Sequence, residues 1–330
     1  MTHITLKNIE DANRRIEKYI HKTPILSSET LNNFLGHYIF FKAENMQKIG
    51  AFKIRGGLNS IAWLIENHLT PKQIIANSSG NHAQAIALAS KIFGIPSTIY
   101  MPQNVSSVKA QATLAYGAKI DFSENRAIAD QKVFDASDEN GTYWIPPFNH
   151  PEVIAGQGTS AYEALTELQN IDAVFAPCGG GGLLSGTLIT SRGLSSKTKV
   201  IGVEPKLAND AIQSVKNGEI VRLDFPPNTI ADGARTLCVG DITFQYLKQL
   251  DEFYEAEEDQ IIYWTQWLTH LLKVQTEPTS AMAMVGVAEW LKHQKTKKQV
   301  LVILSGGNID KETMNKIWRK DYLSIIPTVH

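Results

Sequence analysis

The chain has 330 residues, of which 43% are hydrophobic and 20% are charged, and its formal net charge is −1. This balance is typical of a globular protein with a large core, and the absence of a long basic run argues against a nucleic-acid partner. The sequence shows no apolar run near the roughly 20 residues that span a bilayer, no apolar signal-peptide core and only two cysteines. We therefore expect a cytoplasmic protein without a membrane partner.

Short apolar runs alternate with helical patterns along most of the chain. The predicted strands are 37–42, 73–76, 97–101, 118–122, 173–176, 200–203 and 299–304. The predicted helices include 82–92, 107–116, 159–168, 261–272 and 280–291. This alternation predicts an α/β fold with mainly parallel sheets, and the uninterrupted apolar runs predict strands buried on both faces. The length favours two lobes with a cleft, and ligands bind such sheets at the carboxyl ends of the strands.

The first motif follows the strand 37–42 and reads GAFKIRGG over residues 50–57. Its lysine, Lys53, is flanked by apolar residues and glycines. A surface lysine on a helix is the simpler interpretation. If Lys53 is buried, desolvation lowers its pKa, and the neutral amine can attack a carbonyl carbon.

The second motif, NSSGNHAQ over residues 77–84, follows the strand 73–76 and opens a predicted helix. Small hydroxyls, a glycine and an asparagine at a helix N-terminus suit a carboxylate or another small anion. The alternative is an N-cap in which Ser79 or Asn81 satisfies the first helical amides.

Four consecutive glycines, Gly179 to Gly182, lie between the strand 173–176 and a helical pattern that begins near Leu183. Four glycines in a regular element cost about 2–4 kcal/mol relative to alanine, so a need for bare backbone is indicated. A glycine turn before a helix N-terminus is typical of a phosphate site, although a tight turn is the alternative. A weaker motif, LSGGN over residues 304–308, places the hydroxyl of Ser305 at the end of the strand 299–304. That motif also reads as a capped turn.

A reactive lysine, a phosphate cradle, a carboxylate site and a strand-end hydroxyl together fit an enzyme that holds pyridoxal 5′-phosphate. The chain resembles the fold-type II (tryptophan-synthase-β-like) pyridoxal phosphate enzymes, in particular the serine/threonine dehydratase and serine racemase group. The resemblance extends from about residue 16 to residue 310. It is carried in order by the segments 44–47 (ENMQ), 50–56 (GAFKIRG), 78–84 (SSGNHAQ), 153–159 (VIAGQGT), 177–183 (PCGGGGL) and 305–308 (SGGN). Ala51 and Cys178 depart from the family pattern without replacing a reacting group.

This resemblance implies a two-lobed fold with parallel-rich twisted sheets flanked by helices. A large cofactor domain would comprise 1–68 and 150–330, and a small mobile domain would comprise 69–149. A homodimer is also implied.

The resemblance further implies a role for each motif. The catalytic residues would be Lys53, which holds the cofactor covalently, and Ser79, an acid/base on the opposite face. The cofactor would contact Phe52, Asn81, Gly179, Gly180, Gly181, Gly182, Leu183, Gly233, Glu277 and Ser305, with the glycines on its phosphate and Ser305 on its ring nitrogen. The substrate would contact Ser78, Ser79, Gly80, Asn81, His82, Gln157 and Arg235.

A divalent cation site is implied as well. Glu204, the carbonyl of Ala208 and Asp210 match the metal-binding segment of the family, and all-oxygen ligands suit Mg²⁺, Ca²⁺ or Mn²⁺. The alternative is a solvated acidic loop that caps a helix.

The expected activity is dehydration and deamination of a small hydroxy-amino acid, L-serine or L-threonine, to a 2-oxo acid and ammonia. A neutral hydroxyl at Ser305 cannot keep the ring nitrogen protonated as a carboxylate would, and this favours elimination. Ser79 leaves open a serine racemase with dehydratase side activity. Arg235, which could bind a second carboxylate, leaves open a threo-3-hydroxyaspartate ammonia-lyase. Replacement of the β-hydroxyl by a thiol and a non-catalytic nucleotide-binding module stay open as well.

Overall fold

The computed structural model describes residues 3–78, 80–103, 105 and 107–329. The helices are α1 Leu6–Ile16, α2 Glu29–Leu35, α3 Lys53–Glu66, α4 Asn81–Phe93, α5 Ser107–Ala115, α6 Arg126–Ser137, α7 Pro151–Glu167, α8 Gly182–Leu194, α9 Asp210–Asn217, α10 Asp241–Leu247, α11 Glu258–Leu272, α12 Pro278–Ala281, α13 Ala283–Leu291 and α14 Lys311–Ile317. The strands are β1 Ile25–Leu26, β2 Tyr38–Ala43, β3 Gln73–Asn77, β4 Ser97–Pro102, β5 Lys119–Ser123, β6 Thr142–Trp144, β7 Ala173–Pro177, β8 Lys199–Pro205, β9 Glu252–Ala256 and β10 Gln299–Leu304. Among these helices none combines the length and the apolar character that a bilayer crossing requires.

The strands form two sheets. The larger has six strands in the order β1-β2-β10-β7-β8-β9, and every pairing except the antiparallel β1–β2 pair is parallel. The smaller has four parallel strands in the order β5-β4-β3-β6. The α/β class with parallel sheets is therefore confirmed. All four strands of the smaller sheet fall inside 69–149, whereas the division into a fixed and a mobile domain stays a prediction.

Three strands were absent from the sequence prediction, for reasons that the sheets make plain. β1 and β6 have only two and three residues, too few for a periodic signal. β9 reads EFYEA, without a continuous apolar run, and it lies at the edge of the six-stranded sheet with its side chains mostly half-buried. The predicted helix 280–291 is divided into α12 and α13.

The helix predicted at 159–168 begins eight residues earlier, at Pro151, and so contains two glycines. Both glycines lie where helices touch. A Cβ at Gly156 would lie 2.4 Å from the carbonyl oxygen of Arg55, and one at Gly158 would lie 2.9 Å from the carbonyl oxygen of Gly186. The glycines therefore serve the close packing of α7 against α3 and α8 rather than a loop.

The carboxyl ends of β2, β10 and β7 lie side by side, since β10 pairs with both neighbours in parallel. The segment after β2 is joined to the segment after β10 by backbone hydrogen bonds. The amide of Phe52 donates to the carbonyl of Ser305 at 3.0 Å, and the amide of Gly307 donates to that of Gly50 at 2.9 Å. Lys53 and Ser305 are thereby brought to the same edge of the sheet. Ligands of parallel sheets bind at this edge, beyond the carboxyl ends of the strands.

Candidate active site

Lys53 is the first residue of α3, and the turn before it fixes its position. Gly50 has a φ of +69°, and a Cβ there would lie 2.8 Å from the side-chain oxygen of Asn308. A residue with a side chain would therefore meet both backbone strain and a clash. Ala51, which departs from the family pattern, is buried and forms an isolated bridge with Gly306.

The amino group of Lys53 donates a hydrogen bond to the carbonyl oxygen of Pro147 at 2.6 Å. The same amino group lies 5.1 Å from the centre of the Phe52 ring. Desolvation lowers the pKa of Lys53 to about 7, and the charge of Glu277 opposes part of that decrease. At neutral pH a large fraction of this lysine is therefore a neutral, nucleophilic amine.

The four glycines form the turn between β7 and α8. Gly181 has a φ of +89°, and a Cβ at Gly180 would lie 2.2 Å from the ring of Phe148. α8 begins at Gly182 and runs for 13 residues, so its first-turn amides lie beside the glycine turn with no intrahelical partner. The turn and this helix N-terminus fit a phosphate group. Cys178, just before the turn, is buried among apolar residues, where burial raises the pKa of its thiol.

Gln157 also faces the glycine turn. Its side-chain nitrogen donates to the carbonyl oxygen of Pro147 at 3.2 Å, the acceptor that Lys53 uses. Its side-chain oxygen is buried without a hydrogen-bond partner among the described residues. A Cβ at Gly182 would lie 2.4 Å from that oxygen. Lys53 and the glycine turn are thus joined through Gln157 and Pro147.

Ser305, at the carboxyl end of β10, is buried, and its hydroxyl oxygen lies 3.0 Å from that of Ser280. The two hydroxyls form a neutral polar pair at the carboxyl end of β10. It fits a ring nitrogen as a hydrogen-bond partner and cannot supply the negative charge that would keep a pyridinium protonated.

Asn81 opens α4, and its side-chain nitrogen lies 3.2 Å from both carboxylate oxygens of Glu277. Its side-chain oxygen accepts a hydrogen bond from Asn308 at 2.8 Å. Desolvation raises the pKa of Glu277 to about 7, and the negative charge of Asp232 adds to that increase. A carboxyl group that changes protonation near neutral pH therefore lies between Asn81 and Asn308, close enough to Lys53 to affect its pKa.

The rest of the predicted anion loop lies at the N-terminus of α4. His82 donates from Nε2 to the carbonyl oxygen of Ile145 at 2.9 Å, and burial lowers its pKa to about 3, so the imidazole is neutral. The hydroxyl oxygen of Ser78 accepts from the amide of Gly80 at 3.3 Å. Ser79 lies outside the described residues, so its predicted role on the face opposite Lys53 stays a prediction.

The loop that contains Gly233 packs against the glycine turn. The amide of Gly233 donates to Oγ1 of Thr279 at 3.0 Å, and a Cβ at Gly179 would lie 3.0 Å from the carbonyl oxygen of Gly233. Arg235 is exposed, and its Nε and Nη2 donate to the carbonyl oxygen of Thr229 at 2.8 and 2.6 Å. The guanidinium is thus held within its own loop, which does not support the predicted contact with a second carboxylate.

The two carboxylates of the predicted cation segment are buried, so the segment is not a solvated acidic loop. Glu204 accepts from the amides of Ala211 and Ile212 at 3.3 and 2.7 Å. Neither carboxylate oxygen of Asp210 has a hydrogen-bond partner among the described residues, and desolvation raises the pKa of Asp210 to about 7. The part of the chain that the structure describes holds no cluster of three His, Cys, Asp or Glu residues with metal-site geometry. Two carboxylates and the buried Ala208 backbone fit an oxygen-ligated cation, and its binding stays a prediction.

The sequence interpretation assigned no role to Arg55, which the structure buries completely. Its guanidinium donates to both oxygens of Glu44 at 2.7 and 2.8 Å and to both oxygens of Glu163 at 2.7 and 2.9 Å. Lys42 adds a 2.6 Å contact with Glu163. This network holds α3, and therefore Lys53, against β2 and α7. The sequence did carry a signal for this role, because Arg55 lies two positions after Lys53 in an apolar, glycine-rich segment.

Known proteins resemble this chain over nearly its whole length. A family model described as "Pyridoxal-phosphate dependent enzyme" matches residues 16–306. The L-threo-3-hydroxyaspartate ammonia-lyase of Saccharomyces cerevisiae is 44% identical over 309 residues, which cover 93% of this chain and 94% of that protein. The serine racemase of Dictyostelium discoideum is 40% identical over 321 residues, which cover 96% and 98% of the two chains. The crystal structure of a threonine deaminase from T.th. aligns with a TM-score of 0.86 at 38% identity over 93% of this chain and 99% of that one.

Proposed function

The chain belongs to the pyridoxal-phosphate dependent enzyme family, and on that premise we propose that it deaminates a small β-hydroxy-α-amino acid by β-elimination. The products are a 2-oxo acid and ammonia. Among its relatives, those named ammonia-lyase, threonine deaminase and serine racemase cover nearly the whole chain. L-serine, L-threonine and threo-3-hydroxyaspartate are the candidate substrates.

One observation carries this proposal: the half-buried Lys53, whose pKa lies at about 7, stands at the sheet edge that also bears the glycine turn and the neutral Ser305. Pyridoxal phosphate fits these groups, with its aldehyde on Lys53, its phosphate on the amides of 179–183 and its ring nitrogen on Ser305. When bound, the cofactor draws electrons away from Cα of an amino acid and so acidifies the α-proton.

The protein itself supplies the groups that bind the substrate and transfer protons. The N-terminal amides of α4 and the hydroxyl of Ser78 bind the α-carboxylate and orient the amino acid. The amine of Lys53, no longer bonded to the cofactor once the amino acid has taken its place, takes the proton from Cα. The C–O bond at Cβ breaks, and the hydroxyl leaves as water after it gains a proton. The released enamine takes up water and loses ammonia, which gives the 2-oxo acid.

Ser305 favours elimination over reactions that need a long-lived carbanion. A hydroxyl bonded to a second hydroxyl brings no negative charge to the ring nitrogen, so the ring withdraws electrons less strongly than a pyridinium. Loss of a β-hydroxyl relieves the charge at Cα in the same step. Transamination has no leaving group that would relieve this charge, so it is disfavoured.

Racemisation of serine is the second candidate. The serine racemases of Dictyostelium discoideum and Schizosaccharomyces pombe are each 40% identical to this chain. Inversion needs a proton donor on the face opposite Lys53, the role predicted for Ser79. A cytoplasmic homodimer with a mobile domain over 69–149 also belongs to the proposal.

The test is a substrate panel with the protein reconstituted with pyridoxal phosphate. L-serine, D-serine, L-threonine and threo-3-hydroxyaspartate are each assayed for 2-oxo acid, ammonia and inverted amino acid. The expected result is 2-oxo acid from at least one of them, undiminished by added sulfide. Lys53→Ala should abolish it, whereas Lys22→Ala, at an exposed lysine paired with Glu167, should not. Full ammonia release by the Lys53→Ala variant would contradict the proposal, and sulfide-dependent loss of 2-oxo acid would indicate β-replacement.

A further inference from the structure

We propose that Lys109 binds the second carboxylate of a dicarboxylic β-hydroxy-amino acid, and that 3-hydroxyaspartate is therefore the substrate class that this site favours. The inference rests on the proposed β-elimination and adds a specificity-determining residue to it. It starts from a contact that joins the two parts of the fold.

Lys109 lies on α5, beside the four-stranded sheet, and forms an ion pair with Asp232, which follows β8 of the six-stranded sheet. The two residues are 123 positions apart. The side chain of Lys109 retains 14% of its exposure and that of Asp232 retains 34%. Lys109 is thus enclosed between the two parts of the fold, while Asp232 still reaches solvent.

This ion pair lies next to the loop that packs on the glycine turn. Asp232 directly precedes Gly233, whose carbonyl faces Gly179 of the phosphate turn. The charge of Lys109 also acts on Glu277, the carboxyl group that contacts Asn81. Glu277 is thus close enough to both Lys109 and Lys53 for its charge to act on each, and it contacts Asn81 directly.

The ammonium has capacity for a further acceptor. A lysine carries three N–H donors, and within the described residues Asp232 is its one hydrogen-bond partner. Three acids of the chain act on it, namely Asp232, Glu277 and Asp310, and Asp232 is the partner in direct contact. A substrate carboxylate can share this ammonium with Asp232 or replace it, because Asp232 can turn toward water.

Arg235, the cation that the sequence favoured for a second carboxylate, is held by its own loop. Arg235 directs two of its nitrogens at Thr229 of its own loop and is exposed. Lys109 is enclosed, and Asp232, the acid in direct contact with it, still reaches solvent. Serine and threonine have no group for it, whereas 3-hydroxyaspartate has a carboxylate on Cβ, the carbon that loses its hydroxyl.

The experiment compares Lys109→Met with the unmodified holoenzyme. We expect KM for threo-3-hydroxyaspartate to rise about 10- to 100-fold, which is the effect of losing a hydrogen bond between charged groups, and KM for L-serine to change less than about threefold. Lys109→Arg should restore part of the lost affinity. Lys132→Met removes a more exposed ion pair with Asp121 in the same part of the fold and should change neither KM. Equal losses for both substrates, or no loss for either, would overturn the inference.

A binding measurement keeps this inference separate from the proposed reaction. L-aspartate and L-alanine differ by a carboxylate and have no hydroxyl to lose, so their Kd values can be measured whether or not elimination occurs. Lys109→Met should weaken L-aspartate at least tenfold and leave L-alanine unchanged. Asp232→Asn should strengthen L-aspartate, because it removes the competing anion. If L-aspartate binds the Lys109→Met variant normally, the inference fails even when deamination is observed. If L-aspartate binding follows the prediction and no substrate is deaminated, only the proposed reaction fails.

Discussion

The hydroxyl oxygens of Ser280 and Ser305 lie 3.0 Å apart at buried positions beside the end of β10. Oγ of Ser280 also accepts from the amide of Gly306 at 2.7 Å and donates to the carbonyl oxygen of that residue at 2.8 Å. That carbonyl also accepts from the amide of Glu277 at 3.1 Å. The backbone of Gly306 thus fixes the Ser280 hydroxyl, which in turn fixes the Ser305 hydroxyl at the end of β10.

Ser280→Ala tests this arrangement. The variant leaves the Gly306 amide without its partner and deprives the Ser305 hydroxyl of the hydrogen bond that orients it, so the affinity for pyridoxal phosphate should fall about 5- to 10-fold, with unfolding free energy lowered by about 1–3 kcal/mol. Cofactor titration followed by absorbance and urea unfolding of the cofactor-free protein measure the two effects. Ser60→Ala is the control, since that buried hydroxyl bonds only to Gly56 within its own helix. Unchanged cofactor affinity in Ser280→Ala would show that the hydroxyl pair has a structural role only.

Arg55→Met is expected to destabilise the protein strongly. It leaves the carboxylates of Glu44 and Glu163 buried with less compensating charge, which costs about 3–5 kcal/mol when one partner of a buried pair is removed. Urea unfolding measures that loss. Replacing Arg126, which pairs with Asp130 at an exposed position, should change the unfolding free energy by less than about 1 kcal/mol. Equal effects of the two substitutions would contradict the role given to the network.

Lys53 should make the stability of the cofactor-free protein depend on pH. Its pKa is about 7 in the fold and 10.5 when unfolded, so between these values the unfolded chain binds more protons than the native one. The unfolding free energy contributed by this group therefore rises as the pH increases from about 7 toward 10.5. Subtracting the profile of Lys53→Met from that of the unmodified protein isolates the slope. A flat difference across this window would mean that the lysine keeps an ordinary pKa in the fold.

Gly182→Ala should separate cofactor binding from folding. Its Cβ would lie 2.4 Å from the side-chain oxygen of Gln157 and would displace Gln157 or the phosphate turn, so we expect at least a tenfold loss of affinity for pyridoxal phosphate. Gly36→Ala is the matched control. Gly36 has a φ of +72° and open space around it, so its substitution should lower the melting temperature without changing cofactor affinity. Normal cofactor binding by Gly182→Ala would argue against the glycine turn as the phosphate site.

Divalent cations should stabilise the protein through Asp210. Without a cation, the pKa of Asp210 is about 7 in the fold and 3.8 in the unfolded chain, so between these values the native state binds more protons than the unfolded chain. The unfolding free energy contributed by this group therefore falls as the pH rises from 3.8 to about 7. Mg²⁺, Ca²⁺ or Mn²⁺ would compensate the buried charge, so each should raise Tm at pH 8, and a chelator should reverse the increase. Asp210→Asn should remove the response, and Asp224→Asn, on an exposed loop, should keep it. An equal response in both variants would place the cation elsewhere.

The sequence by itself determined the α/β class, most strands and the motifs that make up the candidate site. Strands buried on both faces leave continuous apolar runs, and glycines and small hydroxyls at strand ends are read without knowing which strands are neighbours. β10 was predicted at 299–304 with the bounds that the structure gives. Short or edge strands such as β6 and β9 carried no comparable signal, and the predicted helix 159–168 left out Gly156 and Gly158, which serve helix packing.

Only the tertiary structure decided which charges face the cleft. Lys109 and Asp232 are 123 positions apart, and Arg55 and Glu163 are 108 apart. Such pairs leave no periodic pattern, because their energy comes from burial and from the angle at which separate elements meet. From the sequence, Arg235 was the cation expected to bind a second carboxylate, yet its hydrogen bonds to Thr229 hold it within its own loop. The proposed cofactor chemistry can therefore be inferred from local motifs, whereas the proposed selectivity for a second carboxylate depends on how the two sheets are brought together.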